Sequence, residues 1–285
     1  MNVPMEPQAL KETLHSIGQA TDSSINLART ALYLAAIEQP GIVLDRYESH
    51  LQRMTEDVRE RHDALLHAGA KDTVETRLAA IKHIFCDKYN YTGDNDTYDD
   101  LQNASLIRVI DRRRGMPIAL AVICIQVGRN LGWDIHGLNI PGHFVCRLDY
   151  GAHRLIFDPF NKCQVLQAPE LRTLVKKSLG RDAELSSTYY EPASNRTILL
   201  RLQNNIKFRR IEGEDYDGAL RVVEGMRLID PDEYRLLLDA GVLYARTSKL
   251  QNAIEVLEDY IKLAPVDRDR HEAAMLLQQI RESLN

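Results

Sequence analysis

Three short stretches of the chain, taken in order, decide its fold: residues 114–121 (RGMPIALA), residues 141–144 (PGHF) and residues 157–160 (FDPF). In the first stretch, Gly115 and Pro117 mark a helix start, because proline is tolerated where first-turn N–H groups have no intrahelical partner. The second stretch carries a histidine and the third an aspartate. This is the order of a cysteine-nucleophile site, in which a carboxylate orients the histidine that activates a thiol.

Around these stretches the sequence predicts one buried helix and a small sheet. Residues 118–131 are almost wholly apolar until Gly132 ends the run, which is typical of a helix buried on all sides. Residues 135–140, 143–149 and 154–158 are short segments with β-type alternation, separated by turn residues. We therefore expect a central helix packed on an antiparallel sheet.

The first hundred residues have the period of amphipathic helices. Apolar side chains return every three or four positions in residues 26–38, 44–66 and 76–87. Residues 89–96, rich in Tyr, Asn and Asp, then interrupt the pattern. The sequence thus predicts a helical region that is followed by a polar loop, both before the core.

The C-terminal part contains an internal repeat. Ala219 and Ala253 are 34 residues apart, as are Pro231 and Pro265, which is the period of a tetratricopeptide array. Such hairpins bury their apolar faces only against neighbouring hairpins, and residues 271–284 would supply the closing helix. The repeat predicts an all-α tail.

One of the two repeat units is degenerate. Lys207 stands where the motif has a glycine, and Arg210 stands where it has an aromatic residue.

We expect a linker at residues 191–195 and predict two domains, residues 1–192 and residues 193–285.

Composition limits the classes of function. A net charge of -5 and a pI of about 6.0 argue against a general nucleic-acid binder, which needs a basic face. The chain shows no basic leader followed by an apolar run and no stretch that approaches a membrane span, so we expect a cytoplasmic protein. The cysteines lack CxxC spacing, which here indicates reduced thiols: Cys86, Cys124, Cys146 and Cys163.

The motifs together resemble a known family. Residues 114–120, 139–144 and 157–160, with a weaker match at residues 103–106, are similar to the transglutaminase-like (papain-like) core, and more closely to the SirB1 family of bacterial proteins. That family joins such a core to tetratricopeptide repeats. The resemblance implies an α+β fold in which a helix-rich core with a small antiparallel sheet is followed by an all-α tetratricopeptide tail.

The resemblance also implies what the site lacks. Catalytic transglutaminase-like cores read Gly, any residue, Cys at the helix start, and here Pro117 takes the place of the cysteine. His143 would be the base and Asp158 its orienting partner, with no nucleophile to activate. The SirB1 family commonly shows the same loss, so we expect His143 and Asp158 to persist as a vestigial pair.

The leading interpretation is a non-catalytic binding or scaffold protein that holds a protein or peptide partner in its core cleft and on its repeat surface. One alternative is a cysteine-dependent hydrolase or acyl transferase that uses a displaced thiol with His143 and Asp158. Cys163 is the thiol left open, because Cys124 lies two turns into the helix and Cys146 faces away from the histidine on its strand.

A second alternative is a regulator that binds a small ligand or an anion at the cleft. Its contacts would be Arg113, Arg114, Asn139 and His143. The arginine run lies next to a helix N-terminus, where positive charge is unfavourable unless something acidic answers it. We expect no metal and no cofactor, since the nearby His, Cys and Asp residues lack the ligand spacing of a closed zinc site.

Overall fold

The structure, a computed structural model, describes residues 4–284. Its helices are α1 (Pro7–Gln19), α2 (Leu27–Ile37), α3 (Asp45–His67), α4 (Val74–Lys82), α5 (Leu106–Arg112), α6 (Pro117–Asn130), α7 (Ala168–Leu179), α8 (Asn195–Glu212), α9 (Tyr216–Ile229), α10 (Arg235–Arg246), α11 (Leu250–Leu263) and α12 (Asp267–Leu284). Its strands are β1 (Thr92–Gly93), β2 (Arg114–Gly115), β3 (Asp134–Ile140), β4 (His143–Tyr150), β5 (His153–Asp158) and β6 (Gln164–Val165). None of the helices in this part of the chain is both long and apolar enough to cross a membrane.

Helix α6 is the predicted buried helix. It begins at Pro117 after Met116 in an extended conformation, so the missing proline N–H costs no helical hydrogen bond. Every residue from 117 to 128 is buried. A Cβ on Gly128 would lie 2.8 Å from the side chain of Ile135, so this glycine lets the helix approach β3 closely.

A four-stranded antiparallel sheet, in the order β3-β4-β5-β6, packs on α6. Leu138 and Val145 point to the opposite face of the sheet, where they meet Leu171 and Val175 of α7. The sheet therefore lies between two helices. The three long strands are as predicted, whereas β6 has only two residues, too few to show an alternating pattern.

The N-terminal helices α2, α3 and α4 confirm the predicted apolar periods. After α4, residues His83–Lys88 continue as a π-helical turn rather than as an α-helix. Strand β1 then pairs in parallel with β2, which places Gly93 opposite Gly115 directly before α6. Part of the predicted polar loop is thus hydrogen-bonded to the segment directly before the buried helix.

The described chain divides into two compact units. The first unit comprises residues 22–35 and 43–202, and the second comprises residues 4–21, 36–42 and 203–284. This division differs from the predicted boundary between residues 192 and 193. No local sequence pattern predicts that the N-terminal helix packs on the repeats. No local pattern predicts where the first unit ends either.

Residues 191–195, expected to form a linker, are bonded within the first unit. The N–H of Ala193 donates to the carbonyl of Gly137 at 2.9 Å. The buried Asn195 side chain donates to the carbonyl of Asp22 at 2.7 Å. These contacts explain why the unit continues past the predicted boundary to residue 202.

The second unit contains the predicted repeats, with α12 as the closing helix. A Cβ on Gly241 of α10 would lie 2.6 Å from the side chain of Leu257 of α11, so the close approach of these helices requires glycine. Helix α1 packs against α9, where a Cβ on Gly18 would lie 2.1 Å from the carbonyl oxygen of Leu228. Helix α1 therefore supplies the neighbour that the first repeat would otherwise lack.

Ion pairs occupy the positions at which the first repeat departs from the motif. Lys207 is only 5% exposed, and its Nζ lies 2.6 Å from Oδ2 of Asp239. Arg210 pairs with both Glu38 and Asp215. The charged side chains that replace a glycine and an aromatic residue are thus neutralised within the unit.

Removing the acid of the Lys207–Asp239 pair should destabilise the second unit more than removing the base. Asp239→Ala leaves a buried ammonium group without its partner, and we expect a loss of about 3 kcal/mol in the free energy of unfolding. Lys207→Met removes the charge and keeps an apolar chain of similar length, so we expect a loss of about 1 kcal/mol. Urea unfolding followed by far-UV circular dichroism measures both values, and equal losses would contradict this account.

Candidate functional site

His143 and Asp158 are hydrogen-bonded to each other. His143 opens β4 after a turn in which Gly142 has a φ of +73°, and Asp158 ends the neighbouring strand β5. Nε2 of His143 lies 2.7 Å from Oδ2 of Asp158. Since a carboxylate accepts, Nε2 donates, and a neutral ring keeps its acceptor lone pair on Nδ1. In thiol and serine hydrolases a histidine that is oriented by a carboxylate or amide through one ring nitrogen serves as the base through the other.

The carboxylate of Asp158 is buried and is satisfied by three donors. Its Oδ1 accepts the backbone N–H of Phe160 at 2.9 Å. Its Oδ2 accepts the side-chain amide of Asn161 at 2.7 Å, beside the bond from His143. The turn after β5 therefore fixes the carboxylate, and the carboxylate fixes the imidazole.

Phe160 connects this pair to the start of α6. Its ring meets the His143 imidazole edge to face, with centroids 6.1 Å apart. Its carbonyl accepts the N–H of Gly93 at 3.0 Å, and a Cβ on Gly93 would lie only 2.6 Å from its ring. Since Gly93 pairs with Gly115, the turn after β5 is joined through β1 and β2 to the segment before Pro117.

Arg201 holds the backbone at His143. Its Nη2 donates to the carbonyl of His143 at 3.0 Å and lies 3.5 Å from the carbonyl of Ile140. Burial lowers the pKa of Arg201 from its ordinary value. The first unit thus positions the histidine from two sides, through its ring by Asp158 and through its carbonyl by Arg201.

The remaining residues of the predicted cleft differ in exposure. Pro117, at the position of the nucleophile, is buried at the start of α6. Asn139 is exposed on β3, opposite Phe144 of β4. The structure therefore brings His143 and Asp158 together and leaves Asn139 at the surface.

The four cysteines lie near one another in the first unit. Sγ of Cys86 is 3.8 Å from Sγ of Cys163. Cys163 also contacts Cys124, and Sγ of Cys146 is 4.0 Å from the carbonyl oxygen of Ala121. Cys86 is partly exposed and the other three are buried.

Their environment disfavours the thiolate. Burial raises the pKa of Cys124 to about 11 and the pKa of Cys146 well above its ordinary value. A hydrogen bond with Cys124, together with burial, raises the pKa of Cys163, which is 1% exposed. An activated cysteine needs the opposite combination, an accessible sulfur and a lowered pKa. Cys163, the candidate displaced thiol, has neither.

The three consecutive arginines make separate contacts. Arg112 donates to Asp94 at 2.8 Å, and Arg114 lies 3.5 Å from Asp96. Arg113 has a left-handed φ of +59° and pairs with neither acid. The predicted basic patch is thus divided, and two of its three charges are answered by acidic side chains.

Arg113 contacts a buried histidine and a buried tyrosine. Its Nη1 donates to Nε2 of His50 at 2.7 Å and to the hydroxyl of Tyr91 at 2.5 Å. Because a guanidinium group can only donate, Nε2 of His50 must accept, and the ring is neutral with its proton on Nδ1. Burial, followed by the charges of Arg113 and Arg53, lowers the pKa of His50 to about 4.

His50 should make the stability of the first unit depend on pH. Its ordinary pKa is 6.5, so as pH falls through the range from 6.5 to about 4 the unfolded chain binds a proton that folded His50 does not. We expect the free energy of unfolding to fall on the order of 2 kcal/mol across this range, and to fall less in His50→Gln. Urea unfolding at several pH values, followed by Trp133 fluorescence, measures the difference. His153→Gln, at an exposed position, is the control; a His50→Gln variant with the wild-type pH dependence would contradict the assignment.

Comparison with known proteins identifies the family. The model of the transglutaminase-like superfamily matches residues 45–204, and that of the tetratricopeptide repeat matches residues 206–278. A UPF0162 protein of Xylella fastidiosa is 31% identical over 92% of both chains. Protein SirB1 of Salmonella typhimurium is 21% identical over 68% of this chain and 72% of its own. The chain belongs to the SirB1 family.

A further SirB1-family relative, the UPF0162 protein of Vibrio cholerae, is 26% identical over 86% of this chain and 88% of its own. No solved structure gives a significant match. The transglutaminase-like core followed by tetratricopeptide repeats, expected from the motifs, is thereby confirmed.

The structure also shows polar residues that the motifs did not reveal, two beside His143 and Asp158 and one on α3. Asn161 follows the FDPF stretch directly, so its amide next to a turn could have indicated a partner for Asp158. Arg201 gave no signal, because it lies in α8, 58 residues after His143. His50 lies on the buried face of α3, where a histidine alone does not indicate a site.

Proposed function

We propose that this SirB1-family protein is a non-catalytic binding or scaffold module, which holds a segment of a partner protein through its transglutaminase-like core and its repeat surface. Pro117 carries the proposal, since a side chain without a nucleophile stands where catalytic transglutaminase-like cores have cysteine. His143 and Asp158 keep their hydrogen bond with no group to activate. We also propose that the protein acts in the cytoplasm, where its free cysteines stay reduced.

The thiols favour this proposal over a hydrolase with a displaced nucleophile. To act with His143, Cys163 would have to leave its contacts with Cys86 and Cys124 and lose its proton against a raised pKa. Cys146 has its sulfur against α6, and burial also raises its pKa. The alternative therefore needs a rearrangement of the buried core.

Exposed apolar side chains on α8, α10 and α12 support a partner surface on the repeats. Phe208 of α8 is 56% exposed, Val242 of α10 is 39% exposed and Met275 of α12 is 49% exposed. Phe208 and Val242 are one 34-residue period apart, so they occupy equivalent positions in successive repeats. We call these three side chains the apolar stripe. Repeat arrays bind partners along extended surfaces built from successive repeats, and the net charge of -5 favours a protein over a nucleic acid.

Capture of partners from native lysate tests this proposal. The full chain should recover a defined partner, and the double variant Phe208→Ser with Val242→Ser should recover at least about 10-fold less of it. Leu263→Ser removes an apolar side chain that is 61% exposed on α11 and serves as the matched control. Equal recovery by the wild type and the double variant would refute the role of the apolar stripe. Turnover of a thioester or amide that is lost in His143→Ala would refute the non-catalytic assignment.

A further inference from the structure

A small open pocket beside α3 carries positive charge that its own residues leave unbalanced. Its volume is about 220 Å³, and it is lined by Arg46, Tyr47, His50, Arg53, Ile110, Asp111 and Arg113. Three guanidinium groups and one carboxylate face it, and His50 is neutral, so the pocket has two net positive charges. Neither His143 nor Asp158 lines it.

Only one of the three guanidinium groups has an acidic partner. Nη2 of Arg46 lies 3.2 Å from Oδ1 of Asp111, and it also contacts the hydroxyl of Tyr47. Within residues 4–284, no carboxylate lies at ion-pair distance from Arg53 or Arg113. An anion in the pocket would therefore balance positive charge that Asp111 in the pocket and Asp57 near Arg53 offset only in part.

Arg113 is held in position before any ligand binds. Its guanidinium carbon lies 5.7 Å from the centre of the Tyr89 ring and 5.0 Å from that of Tyr91. Nη1 makes both of its hydrogen bonds, to His50 and to the hydroxyl of Tyr91. In the described part of the chain its Nε and Nη2 have no hydrogen-bond acceptor, which leaves one edge of the fork for a ligand. A pre-positioned fork loses little conformational entropy on binding.

We propose that this pocket binds the phosphate group of a small phosphomonoester, with Arg53 and Arg113 as its principal contacts and Arg46 and Tyr47 at its rim. Guanidinium forks match the oxygens of phosphate in a bidentate geometry. Two net positive charges suit a dianion better than a monoanionic carboxylate. The volume of about 220 Å³ admits a phosphate with a small organic group.

Calorimetric titration of the full chain with inorganic phosphate, at constant ionic strength, tests the proposal. We expect saturable binding that is at least about 10-fold tighter than the binding of acetate. Arg53→Gln changes an exposed side chain and should leave folding intact while weakening phosphate binding at least about 10-fold. Arg113→Gln should weaken it as much, whereas Arg114→Gln, whose side chain pairs with Asp96, should bind phosphate as the wild type does.

The pKa of His50 provides a second measurement, which non-specific ion binding would not change. The charged and titratable groups around its ring are Arg53 and Asp57 of α3, Arg113 after α5, and Tyr89 and Tyr91 after the π-helical turn. Because a bound phosphate would offset the arginine charges, the pKa of His50 measured by NMR should rise when phosphate is saturating. The proposal is overturned if phosphate does not saturate, if acetate binds equally well, or if neither Arg53→Gln nor Arg113→Gln weakens phosphate binding.

Discussion

Asp158→Ala is expected to lower the free energy of unfolding of the first unit by about 3 to 5 kcal/mol. The carboxylate is 1% exposed and accepts from His143, from the Phe160 N–H and from the Asn161 amide. Alanine leaves the N–H of the buried Phe160 and the ring N–H of the half-buried His143 without an acceptor, whereas the exposed Asn161 amide can turn to water. The turn after β5 would lose the bonds that define it, and the orientation of His143 would be lost with it.

Trp133 provides the measurement, because it is the one tryptophan of the chain, is 8% exposed and belongs to the first unit. Urea unfolding followed by its fluorescence should show the full loss for Asp158→Ala. Asp158→Asn keeps the shape and one acceptor oxygen, so about 2 kcal/mol is expected. Asn139→Ala, at an exposed site on β3, should stay within about 0.5 kcal/mol of the wild type. A loss of less than about 1 kcal/mol in Asp158→Ala would show that this network does not hold the turn.

Gly18→Ala is expected to destabilise the second unit by about 2 kcal/mol, although alanine usually stabilises a helix by about 1 kcal/mol relative to glycine. The added Cβ would lie 2.1 Å from the carbonyl oxygen of Leu228, a backbone atom that cannot rotate away. Helix α1 would have to move from α9, which uncovers buried side chains of both helices, Leu10 and Leu14 in α1 among them.

Thermal and urea unfolding followed by far-UV circular dichroism tests this sign reversal. Ala9→Gly, at an exposed position in the same helix, should show the ordinary cost of about 1 kcal/mol for replacing alanine with glycine. A Gly18→Ala variant more stable than the wild type would show that α1 does not pack on α9 at this distance.

Local pattern was sufficient for much of the fold. An almost wholly apolar run that begins at Pro117 and ends before Gly132 predicts a buried helix, and α6 is that helix. Period-two alternation predicted the three long strands, and the 34-residue spacing predicted the repeats and α12. Each of these signals lies within one element or between equivalent elements.

What the sequence left open depends on contacts between distant residues. The packing of Gly18 against Leu228 and the proximity of Cys86 and Cys163, 77 residues apart, have no local pattern. Arg113 separates from its neighbours through a positive φ that a run of identical side chains cannot reveal. For the same reason the sequence did not reveal the pocket that Arg113 lines together with Arg46 and Arg53.

The rate at which a thiol reagent labels each cysteine of the native protein at neutral pH tests the central claim most directly. A core without a nucleophile predicts that all four thiols react more slowly than a cysteine in an unfolded peptide, with partly exposed Cys86 the fastest of them, and that His143→Ala changes none of the rates. One cysteine that reacts much faster than the unfolded reference, and loses that advantage in His143→Ala, would show a working thiol site and contradict the account.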